Sequence, residues 1–238
     1  MHQYPRASVF DNKRKSIRAW RDRVRDPSLT VLLVTELCLV FVAAPLAARG
    51  LPIARPIVET LALAVLALVV VLSNRRGAIV TIVLGLVATL ASRLLVPEWA
   101  PGAASLLRHG ANIVTFSALT WVVLHAVYAP GHITSHRLQG AAVLYLNLAV
   151  ICASAFSLIW ELSPTAFATL AEPTGGPDEF ATMLYFSLTT LTTTGYGDIV
   201  PVDPFARSLA NLESVIGQFY LAITVARLVT LEMEHRRR

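Results

Sequence analysis

The stretch TLTTTGYGDIVP, Thr190 to Pro201, lies between two long apolar runs near the C-terminus. Threonines lead into Tyr196, which is flanked by Gly195 and Gly197, and Asp198 follows. Glycine adopts left-handed backbone at little steric cost. A chain that alternates such residues with ordinary ones can turn successive carbonyls the same way. Lipid offers no hydrogen bonds to bare N–H and C=O groups, so irregular backbone at membrane depth is tolerated only inside protein or beside a water-filled path. The stretch therefore predicts a row of backbone oxygens that faces water within a membrane.

Composition agrees. Of 238 residues, 55% are apolar and 15% charged, where a soluble domain has about a quarter charged. Mean hydropathy is +0.61. The formal charge of +5 does not imply nucleic acid, because basic residues gather at the chain ends and in one short loop. Cys38 and Cys152 lie in apolar runs, with no CxxC and no Cys/His cluster, so neither a disulfide framework nor a metal site is expected. The polar, basic N-terminus lacks the form of a cleavable signal.

Six runs have the roughly 20 apolar residues a spanning helix needs. They lie at about 29–48, 57–73, 78–96, 111–129, 138–160 and 206–231. A shorter run, EFATMLYFSLTTL at 179–191, is expected to re-enter the membrane without crossing it. Lys and Arg set the orientation. Fourteen fall in residues 1–28, the SNRRG loop, Arg137 and the tail, against four on the other side (Arg49, Arg55, Arg93 and Arg108). Both termini are then cytoplasmic, and 161–205 faces outward. In residues 1–28, Ile17, Trp20 and Val24 recur at helical spacing among basic residues, and Pro27 comes after them. The pattern fits an interfacial helix on anionic lipid; a solvated basic flank is the plainer alternative.

TTGYGD, Thr193 to Asp198, resembles the signature filter of potassium channels, in which TVGYGD is usual, so Thr194 stands in place of valine. The surroundings are similar too: a preceding span, Tyr185 and Phe186 in a pore helix, Pro201 after the filter, and Gly217 in the last span. The resemblance covers about 138–231. It implies an all-α membrane fold of six spans plus a re-entrant pore helix, tetrameric around a central pore. It also implies that K+ passes down its gradient over oxygens of Thr193, Thr194, Gly195 and Tyr196, with Gly197 and Asp198 supporting the filter and no organic cofactor. The chain then divides into 1–28, a four-helix sensor-like domain at 29–137 and a pore domain at 138–238. A compact chain of this kind is expected in a prokaryotic plasma membrane.

The six-span layout resembles voltage-gated channels. A voltage sensor needs several Arg or Lys inside its fourth span, and ANIVTFSALTWVVLHAVYAP has none. Little intrinsic voltage sensing is expected, and spans one to four read either as a packing collar or as a sensor of lipid, tension or an unidentified regulatory partner. His109, His125, His132 and His136 form no recognisable ligand set. Glu36, Asn147, Glu213, Gln218 and Arg227 are polar at membrane depth, where such residues usually face protein or water. Glu213 lies near filter level, either bracing the pore helix or making an ordinary interhelical bond. Gly217 is either a gating hinge or a close-packing point. The short tail after Met233 leaves no space for a fused ligand-binding domain. A weakly selective cation channel, because of Thr194, and a non-conducting regulatory subunit are the alternatives. No enzyme signature is present.

Overall fold

A computed structural model describes residues 29–49, 80, 83–84, 87, 101–128, 135–171 and 177–236. The basic segment 1–28, the second predicted run and all but four helical residues of the third lie outside the described residues. Five helices have defined bounds: α1 (Leu29–Ala48), α2 (Pro101–Val127), α3 (Ser135–Leu162), α4 (Pro177–Leu191) and α5 (Pro204–Arg236). Among the described residues there is no strand, and a single isolated bridge joins Phe167 to Pro201. Three described helices contain stretches long and apolar enough to cross a membrane: Leu29–Ala48, Leu138–Leu162 and Pro204–Arg227.

Among the described residues, hydropathy located the helices but not their ends. The fourth run, expected at 111–129, begins ten residues earlier, at Pro101. Proline suits a helix's first turn, where its missing N–H is not needed. Arg108 and His109 then fall inside the helix, because charge ends an apolar window without ending a helix. The last helix likewise extends beyond 206–231 to Pro204 and Arg236. Asp203 starts it: its Oδ1 accepts from the backbone N–H groups of Phe205 (2.8 Å) and Ala206 (3.2 Å), ahead of Pro204 in the first turn.

In α1, Leu29, Leu32, Glu36, Val40, Ala43 and Ala47 form the buried stripe, while Val31, Val34, Leu37 and Phe41 are exposed. The helix widens to a π-turn at Leu39–Ala43, where the Ala44 N–H reaches back to Leu39 O. Pro45 lies two residues beyond it. Its lack of an N–H and its ring against the preceding turn account for the change of pitch.

The helices α2 and α3 form an antiparallel hairpin. At one end His109 Nε2 lies 3.6 Å from Glu161 Oε1. At the other, a Cβ on Gly140 would stand 2.5 Å from Val127 Cγ2, so glycine permits the contact. Helix α1 runs parallel to α3, with Thr30 donating to Gln139 at its start. Further along, Val40 and Ala44 join a core with Ala149, Cys152, Ala153, Met183, Leu184 and Phe186. The first span thus packs directly against α4.

At the centre of that core Phe156, Phe167 and Phe186 meet edge to face, at centroid distances of 4.9 to 6.3 Å. Truncating one such buried ring to alanine costs about 3–5 kcal/mol. These rings join α3, α4 and the loop 163–171, which fixes the position of the filter stretch. By contrast α5 is poorly covered: 11% of its apolar window is buried, against 61% for α3. Leu212, Val215, Ile216, Phe219 and Ile223 are all exposed on it.

Candidate pore and selectivity filter

Helix α4 ends at Leu191, and the chain leaves it in an alternating conformation. Thr193, Gly195 and Gly197 have φ of 57°, 52° and 78°. A Cβ on either glycine would meet nothing within 4 Å. Glycine is required there by backbone conformation and not by space. Thr193 is β-branched, and left-handed backbone costs such a residue roughly 1–3 kcal/mol. It is held by Thr193 N–H donating to Thr190 O at 3.0 Å. The side chain of Gln218 on α5 also donates, Nε2 to Thr193 Oγ1 at 3.4 Å. The doublet of glycines was visible in the sequence; the third positive-φ position was not.

The stretch hangs from the end of α4. The N–H groups of Thr194 and Gly195 both donate to Thr189 O, at 2.8 and 3.2 Å. Neighbouring helices take the next carbonyls: Tyr145 Oη of α3 donates to Leu191 O (3.1 Å), and Ser214 Oγ of α5 donates to Thr190 O (3.2 Å). Thr192 Oγ1 donates to Leu188 O (2.7 Å) and lies 2.9 Å from Thr194 Oγ1. The hydroxyl that replaces the usual valine side chain is therefore linked, through Thr192, to the last turn of the helix. The C-terminal end of α4, with its partial negative charge, points toward this stretch.

At the far end, Tyr185 Oη of α4 donates to Asp198 Oδ2 at 2.8 Å. The Tyr185 ring lies parallel to Tyr196, at 6.2 Å and 1°. The second Asp198 oxygen accepts from Ile199 N–H at 3.1 Å. The loop 163–171 clamps the residues beyond Ile199: Ala168 N–H donates to Val200 O (3.0 Å) and Val202 N–H to Ala166 O (2.8 Å). Residues 192–198 are exposed in the single chain, so the front of the stretch is open while its back is fastened.

Behind it, Glu213 is 1% exposed and hydrogen-bonds Ser187 of α4. One turn along, a Cβ on Gly217 would stand 2.5 Å from Leu191 O and 2.8 Å from Leu191 Cδ1. Helix α5 therefore touches the end of α4 at its glycine. Sequence reasoning missed Tyr145, Ser187, Ser214 and the Gln218–Thr193 contact. These partners lie 24 to 46 positions apart, and no local spacing announces them. Among the described residues no group of His, Cys, Asp or Glu suits a metal ion.

Comparison with known proteins agrees with this geometry. Residues 147–234 match the family model described as "Ion channel". The chain is 35% identical over 75 residues to the potassium voltage-gated channel protein shk-1 of Caenorhabditis elegans, covering 32% of this chain and 14% of that protein. It is 36% identical over 50 residues to the inward rectifier potassium channel Kirbac3.1 of Paramagnetospirillum magnetotacticum, covering 21% of this chain and 17% of that one. The similarity thus spans less than a fifth of either relative's length. No solved structure matches significantly. Over residues 147–234 the chain is thus similar to ion channels, and both of these relatives are potassium channels.

Proposed function

We propose that the protein is a potassium-selective channel, a homotetramer of six-span subunits in a plasma membrane with both termini cytoplasmic. The observation that carries the reading is the alternation at Thr193, Gly195 and Gly197. Positive φ at every second residue turns the intervening carbonyls to one side, as a filter built of backbone oxygens requires. Carbonyls of Thr193, Thr194, Gly195 and Tyr196, with the Thr193 hydroxyl, replace the water shell of K+. One chain carries one such stretch, and a ring takes four. The bare flank of α5 supports the same conclusion, since its exposed apolar residues need either lipid or neighbouring copies.

Each part then has a task. Four α4 helices aim their partly negative ends at the cavity and favour a cation there. Asp198, held by Tyr185, gathers cations at the outer mouth and keeps the loop in shape. Asp198, Gly197 and Glu213 are supports and not ligands. Gly217 is the point about which the inner helix pivots on the end of α4. The fourth span supplies little gating charge, and α1 and α2 act mainly as a collar on α3 and α4.

The test is the reversal potential of the purified protein in a planar bilayer, with potassium on one side and sodium on the other. A value near the potassium equilibrium potential is expected. Real current that reverses near zero would replace this reading with a weakly selective pore.

A further inference from the structure

Ser187 of α4 has one hydroxyl proton and two oxygen neighbours. Its Oγ lies 2.9 Å from the carbonyl of Ala149 on α3, and it is in short contact with Glu213 Oε1 of α5. A serine hydroxyl donates once and accepts through its lone pairs. If the proton went to Glu213, Ser187 Oγ and Ala149 O would face each other at hydrogen-bond distance with no hydrogen between them. If it goes to Ala149, the short contact with Glu213 needs a proton from the carboxyl. Only the second assignment makes both contacts attractive.

The surroundings favour it. Glu213 is 1% exposed within a single chain, so neither bulk solvent nor a neighbouring copy reaches it. Its Oε2 has no hydrogen-bond partner. The titratable groups that face it are Cys152 and Tyr145, both on α3 and neither a cation. Tyr145 is already committed to Leu191 O. A buried carboxylate needs an opposite charge or several strong donors; besides Ser187, whose proton the Ala149 contact claims, the described residues supply only the weakly donating Cys152 thiol.

We infer that Glu213 is held as the neutral carboxylic acid, donating its proton to Ser187 Oγ while Ser187 donates its own to Ala149 O. One proton then ties α5, α4 and α3 together behind the filter stretch. Glu213 is a positioning residue: it acts through Ser187 and touches no permeant ion. The inference concerns the resting chain and does not depend on which ion passes.

Infrared difference spectroscopy of the full-length protein in lipid vesicles tests it. At pH 7 the wild type should show the carbonyl band of a protonated carboxyl, absent from Glu213→Gln and moved in Glu213→Asp. A carboxylate band lost in Glu213→Gln instead would overturn the inference. Heat denaturation gives an independent check. Glu213→Gln keeps a neutral donor of the same shape, so its melting temperature at pH 7 should stay near wild type, while Glu213→Leu and Ser187→Ala lower it. As the pH rises above the ordinary carboxylate range, wild type should lose stability progressively until the carbonyl band has gone, and Glu213→Gln should not. A Gln variant as unstable as the Leu variant at pH 7 would show that the charge itself was needed.

Discussion

Tyr185 and Asp198 are thirteen residues apart and joined by a 2.8 Å hydrogen bond, while the same tyrosine ring lies flat beside Tyr196. One side chain of α4 thus holds both the conformation and the acid of the filter stretch. Tyr185→Phe keeps the ring and removes the donor. Expected is a roughly two- to tenfold faster decay of current during sustained opening, the range of one net hydrogen bond. The bond to Asp198 raises the phenol above its ordinary value. A raised acid stabilises its neutral form, so the contribution is whole below about pH 10 and fades as pH climbs through the raised value. Current persistence should therefore be flat through neutral pH in wild type. Loss near pH 7 would assign it to another group.

Gly217 faces the end of α4. Alanine is the better helix former by about 1 kcal/mol, which alone would stabilise α5. Its Cβ, however, would lie 2.5 Å from the backbone oxygen of Leu191. A backbone carbonyl cannot swing aside, and overpacking costs roughly 1–3 kcal/mol. Gly217→Ala should lower the melting temperature of the assembly. An alanine variant that is more stable, yet opens poorly, would assign the glycine to bending alone.

The range of each interaction decides how much of the molecule is legible in its sequence. The filter stretch is readable because Gly195 and Gly197 state a backbone requirement within three residues. The membrane character of α1, α3 and α5 is readable because apolar length is a local property. Helix ends are not: Arg108 and His109 interrupt hydropathy without interrupting hydrogen bonding, so the apolar run starts ten residues inside α2. The fastening of the stretch is not readable either. Tyr145 and Ser214 are ordinary residues until the fold brings them to the carbonyls of Leu191 and Thr190. The contact of α1 with α4, through Val40 and Ala44, depends on tertiary packing alone. Glu213 stands out as a polar residue at membrane depth, but its proton assignment requires Ser187 and Ala149 to be placed.

Asp203 caps the inner helix through two backbone N–H groups, and its charge also suits a helix N-terminus. Asp203→Ala should cost about 0.5–2 kcal/mol, read as a fall in melting temperature. Asp203→Asn keeps the cap and should recover most of it. Equal losses in the two variants would place the role in charge and not in capping.

Thr194→Val restores the usual side chain and removes the contact with Thr192 Oγ1. The ligand assigned to Thr194 is its main-chain carbonyl, and its N–H remains bonded to Thr189 O. The net loss is about 0.5–1.5 kcal/mol, spread over a contact at the surface of the single chain. Expected is an unchanged reversal potential under potassium–sodium gradients, with at most a small loss of heat stability. A shift of reversal toward zero would show that the threonine hydroxyl takes part in selection.

Voltage dependence comes from charge. Moving one elementary charge through 100 mV is worth about 2.3 kcal/mol, and steep gating takes several such charges per subunit. Helix α2 carries one arginine, Arg108, at the same end as the His109–Glu161 contact. The C-terminal end of α2 is tied instead by packing: Val127 sits against Gly140, and Arg227 of α5 lies 4.3 Å from the centre of the Tyr128 ring. A charge at one end of the field does little work unless the helix travels far, and the Gly140 contact opposes travel. Open probability should change less than about tenfold over 100 mV, a range that corresponds to roughly 1.4 kcal/mol, and Arg108→Gln should leave that slope unaltered. A steep slope removed by Arg108→Gln would make α2 a working sensor; a steep slope that survives the substitution would move the sensing charge to another span.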